Sequence, residues 1–159
     1  MSLIHGIGVA GLGLAAVVAA WLDLRRRVVP NWLCGATALG GLAYSYAASG
    51  PAVAGFALVH AVLALLVGMV LFALRLVGGG DAKFYAAVAA WFSLAQGFTL
   101  LLAVALSGGM LTLLAWVPLR RRRRERGERI GHGEAEAFLM VPYAVAIGAG
   151  GVIALLLAG

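Results

Sequence analysis

Acidic side chains are nearly missing from this chain. Only six of its 159 residues are Asp or Glu, and charged residues of both signs make up 11%. Soluble domains carry about 25%, so this sequence cannot cover itself for water. Hydrophobic residues make up 64% of it, and the solvent they imply is a bilayer. In lipid, only helices and closed barrels satisfy every backbone group. The apolar runs here are long and continuous and do not alternate as barrel strands do. The sequence predicts an all-α polytopic membrane protein, a single membrane-embedded domain over residues 1–159.

Other scarcities narrow the reading further. A lone cysteine, Cys34, allows no internal disulfide and no cysteine metal cluster. The start, Met1 to His5, has no basic n-region and reads as an uncleaved first span rather than a signal peptide. Aromatic residues are not interleaved with the basic ones. The net charge of +6 therefore points to membrane topology and not to nucleic acid, because Lys and Arg gather in cytoplasmic loops. No cofactor is expected.

The first span covers about Leu3 to Leu22, long enough for a hydrocarbon layer of about 30 Å. Its Gly6-Ile7-Gly8-Val9-Ala10-Gly11 matches a dinucleotide fingerprint in letters only, since no strand precedes it. Arg25 to Arg27 follow and mark a cytoplasmic loop, flanked by Trp21 and Trp32 as interface anchors. Pro30 ends any helix carried through the loop, and a second span runs from about Asn31 to Ala48. After Ser49-Gly50-Pro51, a third runs from about Ala52 to Val77. The stretch from Phe84 to Pro118 is too long for one span. Divided at Ser93–Gly97 it makes two, about Ala82–Ala95 and Phe98–Leu119. The division also returns Arg120 to Arg124 to the side that holds Arg25 to Arg27. Residues 120–137 form a cytoplasmic Arg-rich loop, and a sixth span runs from about Phe138 to Leu157. About six transmembrane helices result, with both termini outside.

Asp23 then ends the first helix and Asp81 opens the fourth, both at the cytoplasmic lip. An acid at the edge of an apolar span is costly to keep and is by default a functional candidate. Two carboxylates at one depth can share a proton and a water. One then acts as base on the water while the other polarises or protonates a carbonyl. Helix dipoles predict Asp81 as the more often ionised of the two, because it sits at a helix N-terminus and Asp23 at a C-terminus. Structural alternatives stand beside this reading. Asp81 can cap a helix after a glycine stop, and Asp23 can pair with Arg26 or Arg27. Lys83 follows Asp81 by two, so it points off Asp81's face of a helix. It reads as headgroup-facing or topology-setting, as does Arg75. The glycine run is not a phosphate loop. His60 and Ser107 read as packing residues rather than a serine protease pair. His132, Glu134 and Glu136 read as a solvated loop rather than a metal site, so no metal is expected.

These residues resemble a known family. Gly78-x-Gly80-Asp81 resembles the GxGD motif of membrane-embedded aspartyl proteases. The fuller Gly78-Gly79-Gly80-Asp81-Ala82-Lys83 resembles the second aspartate motif of type IV prepilin peptidases. Asp23 followed by Arg25 to Arg27, Val28, Val29, Pro30 and Asn31 resembles their first. Val141 to Gly148 resembles their closing segment, with Ala144 where the family usually has Gly, a departure that touches no catalytic position. The resemblance implies that Asp23 and Asp81 are the catalytic pair, with Gly78, Gly80, Lys83, Pro30 and Asn31 as supporting motif. It implies removal of short basic leaders from prepilin-like substrates at the cytoplasmic face of the bacterial inner membrane. Larger bifunctional members carry an insert with zinc-binding cysteines. With Cys34 alone, this chain is similar to the short, peptidase-only type that serves Flp or tight-adherence pili, and no methyltransferase activity is expected. A presenilin-like intramembrane protease is the rival enzyme reading. A small transporter or structural membrane subunit is the rival of another class.

Overall fold

The computed structural model describes residues 2–26, 28–125 and 143–158. Six helices are present among them: α1 (Leu3–Arg26), α2 (Asn31–Ser49), α3 (Pro51–Ala73), α4 (Gly79–Ala89), α5 (Gly97–Glu125) and α6 (Tyr143–Leu157). A single 3-10 turn, Leu94–Gln96, separates α4 from α5. The segments Leu3–Arg26, Pro51–Ala73 and Leu94–Leu114 are each long and apolar enough to cross a membrane. Large apolar side chains such as Leu66, Val67 and Val70 of α3 face outward, which water would not tolerate over so wide a surface. The chain is an all-helical membrane protein.

Helix α6 packs between α1 and α5, and α4 packs against α2, α3 and α6. These contacts depend on small residues, which let backbones approach in lipid where apolar side chains gain nothing from leaving water. A Cβ on Gly150 would come within 2.5 Å of the Val104 backbone, joining α6 to α5. A Cβ on Gly68 would come within 2.9 Å of Ala82, joining α3 to the first turn of α4.

The shortest of the six helices is also the most enclosed. Phe84, Val88 and the following Phe92 are buried with Leu12, Leu100 and Leu155 around them. At 11 residues, α4 covers about 16 Å, half a bilayer. Its end therefore lies at depth, where free carbonyls are expensive. Neighbouring helices supply donors. Ser45 Oγ donates to the Ala90 carbonyl at 3.4 Å, and His60 Nδ1 lies 3.1 Å from that of Phe92. A carbonyl only accepts, so this contact puts the His60 proton on Nδ1. Trp91 Nε1 in turn donates to the Thr37 carbonyl at 2.9 Å.

The break between the fourth and fifth helices falls within the segment the charge argument selected, with Ser93 and Gln96 forming a capping box across it. Other bounds differ. The fourth helix starts three residues earlier than predicted and stops at Ala89. The third stops at Ala73, where Leu76 N–H bonds back to the Leu71 carbonyl at 2.9 Å. Arg75 turns that corner with φ 60°, a left-handed conformation usually left to glycine. The fifth runs on through Pro118 to Glu125, so the first six residues of the predicted Arg-rich loop are helical. Arginine is a good helix former. The rest of that loop, with His132, Glu134 and Glu136, lies outside the described residues, as does the predicted start of the sixth span at Phe138.

Candidate active site

Asp23 lies in the last turn of α1, and its Oδ2 accepts the backbone N–H of Ala144 at 3.4 Å. That amide belongs to the first turn of α6, where helix N–H groups have no partner of their own. The contact joins residues 121 apart in sequence. Arg25, the nearest arginine in sequence, turns over the Trp21 ring at 4.0 Å.

Asp81 is the third residue of α4, two after Gly79. Gly78 occupies the N-cap with extended backbone, φ −72° and ψ 143°, so Asp81 is a first-turn residue and not the cap. Its carboxylate folds back over Gly78. A Cβ at position 78 would lie 2.6 Å from Asp81 Oδ2. The constraint at Gly78 is thus one of space, since any residue adopts its backbone angles: a side chain there would displace the Asp81 carboxylate. The absence of a side chain at Gly78 makes room for the carboxylate.

Burial first, and then the negative charge of Asp23, raise the Asp81 carboxyl from the usual 3.8 to about 6, while the Gly78 backbone amide acts in the opposite sense. Two conclusions follow. The fold brings the two aspartates, 58 positions apart, within electrostatic reach of each other. Burial opposes the charged form of Asp81, against what the helix dipole alone would favour, and it is the larger effect. The start of α6 meets Asp23 opposite the C-terminus of α1.

The remaining motif residues join the two aspartate segments. Val29 is buried and lies 3.8 Å from where a Gly80 Cβ would sit. Pro30 is the N-cap of α2, and its carbonyl accepts the N–H groups of Leu33 and Cys34 at 3.1 and 3.3 Å. Asn31 Oδ1 accepts a hydrogen bond from Lys83 Nζ at 3.2 Å. Lys83 is exposed, as a headgroup-facing base would be, and its pairing with Asn31 was not legible in the sequence. Ala144 was the other omission. It was set aside as touching no catalytic position, yet its amide holds Asp23.

Among the described residues no group of three or more His, Cys, Asp or Glu could hold a metal ion. What the site offers is two carboxylates in communication, one of them held near neutrality, at the cytoplasmic ends predicted for their helices. Such a pair can keep one proton between two acids.

No curated protein and no solved structure matches this chain. A family model does, over residues 10–113, and it describes the type IV leader peptidase family. The matched stretch is well over half the chain and contains both aspartates together with Gly78, Gly80, Lys83, Pro30 and Asn31. This chain belongs to the type IV leader peptidase family.

Proposed function

We propose that the protein is a membrane-embedded aspartyl endopeptidase that removes short basic leader peptides from prepilin-like proteins. About six transmembrane helices, α4 the short one among them, sit in the bacterial inner membrane with both termini outside, and the site faces the cytoplasm. The observation that carries the reading is that Asp23 and Asp81, from helices first and fourth in the chain, interact electrostatically within a family of leader peptidases.

The chemistry follows from the asymmetry of the pair. A water lies between the carboxylates with the substrate carbonyl beside it. Asp23 takes a proton from the water as its oxygen attacks the carbonyl carbon. Asp81, protonated, gives its proton to the carbonyl oxygen, leaving a neutral gem-diol. Collapse of that diol breaks the C–N bond. The leaving nitrogen takes the proton held by Asp23, and Asp81 recovers its own. A prepilin-like substrate presents a basic leader in the cytoplasm and an apolar helix in the lipid, which sets its scissile bond at the depth of the two acids.

Co-expression with candidate prepilins tests this directly. Leader removal is expected in the wild type and lost in both Asp23→Ala and Asp81→Ala. Processing that survives either substitution sinks the reading.

A further inference from the structure

A groove of about 610 Å³ opens between α2, α3 and α4, lined at its polar end by Asn31 and Lys83 and along its length by apolar side chains from Ala38, Ala61, Phe72 and Ala87. It is not the aspartate site. Lys83 and Ala87 share one face of α4, four residues apart. Asp81 lies on the opposite face with Val88, which packs against Gly151 of α6. Neither Asp23 nor Asp81 lines the groove.

We infer that this groove is a binding site for one phospholipid of the cytoplasmic leaflet, its phosphate on Lys83 and Asn31 and an acyl chain in the apolar part. Length selects the occupant. From Ala61 to Phe72 the groove runs eleven residues along α3, about 16 Å. That is the depth of one leaflet and about half of what a membrane-spanning helix of a substrate needs. Charge selects the headgroup. The exposed Lys83 ammonium has three donors and spends one on Asn31 Oδ1, leaving two for phosphate oxygens. The N-termini of α2 and α4 end beside it and add to the positive potential there. The cytoplasmic leaflet supplies the anion. Because the bound phosphate would brace the Asn31–Lys83 link two residues from Asp81, the lipid would also steady the start of α4.

Native mass spectrometry of the full chain in a mild detergent tests this, with titration by dioleoyl phosphatidylglycerol and, separately, by dioleoylglycerol, which has the same chains without the phosphate. The wild type is expected to bind the phospholipid more tightly. Lys83→Met is expected to weaken that binding about fivefold and to leave the diacylglycerol unchanged. Ala61→Phe, which fills the apolar part, weakens both. Equal wild-type affinity for the two lipids, or phospholipid binding that neither substitution alters, overturns the assignment. So does a synthetic peptide of basic leader and apolar helix that displaces the phospholipid and photo-cross-links to a reactive group at Leu65, which also lines the groove. That result would give the groove to the substrate. None of these readouts depends on peptide cleavage.

Discussion

Asp81→Asn should make this protein more stable at neutral pH, by an amount the site itself sets. The folded protein raises the Asp81 carboxyl from 3.8 to about 6, chiefly by burial. Below pH 3.8 the group is protonated whether the chain is folded or not, and it contributes nothing. As pH rises toward 6, the unfolded chain ionises freely while the folded one resists, so stability falls. Above 6 both forms are charged and the full cost remains. One pH unit corresponds to about 1.4 kcal/mol, which puts the ceiling at about 3 kcal/mol. Asp81 is only partly buried, so solvent screening reduces this to about 1–2 kcal/mol. Asparagine keeps the shape and removes the charge.

For a chain of this size, 1 kcal/mol moves the melting temperature by about 2–4 °C. Thermal unfolding in detergent at a pH of about 7.5 should therefore show Asp81→Asn melting about 2–8 °C above wild type. At a pH of about 3.5, below the reference carboxylate range, the two proteins should melt together. A gain at neutral pH with no leader cleavage would be the signature of a site that trades stability for chemistry. An unchanged or lower melting temperature at neutral pH refutes the argument. So does a gain of equal size at both values, which would trace to something other than ionisation.

Three further outcomes follow from the same geometry. Asp23→Asn removes the like charge that adds to burial in raising the Asp81 carboxyl, so the Asp81 titration, followed by carboxyl infrared bands, should move down from about 6 yet stay above its reference value because burial persists. Gly78→Ala places a Cβ 2.6 Å from Asp81 Oδ2 whereas Gly80→Ala meets only Val29 at 3.8 Å; leader cleavage should fall about a hundredfold in the first and stay near wild type in the second, and equal loss in both would mean that backbone freedom matters rather than space. Gly150→Ala, whose Cβ would come within 2.5 Å of Val104 backbone, should cost about 1–3 kcal/mol by overpacking, read as a lower melting temperature with the pH dependence of Asp81 intact.

The sequence was legible where one physical effect dominates. Hydrocarbon length and arginine placement were enough to find six helices and to divide the long run between Phe84 and Pro118, because both effects act along the chain. The scarcity of acids was enough to single out Asp23 and Asp81. What could not be read depends on neighbours remote in sequence. The Ala144 amide reaches Asp23 across 121 positions, and Lys83 reaches Asn31 across 52. No periodicity encodes either contact. The short reach of α4 was hidden for a related reason. Trp91 and Phe92 are as apolar as the helix before them, so hydropathy runs on past Ala89. The helix can stop there only because Ser45 and His60, on two other helices, receive its loose carbonyls.

Those far contacts give α4 its two-sided character. One face carries Asp81 toward α1 and α6, and the other carries Lys83 toward α2 and α3. Alternation at the helix start, Asp81-Ala82-Lys83, separates the two charges by about 200°, which keeps the ammonium from neutralising the carboxylate. Were Lys83 moved to position 84 or 85, it would lie on Asp81's face and favour the charged form, lowering the carboxyl that a general acid needs raised. On the proposed reading the spacing of two serves the chemistry: it lets one helix end hold an exposed cation on one face and a carboxyl raised to about 6 on the other.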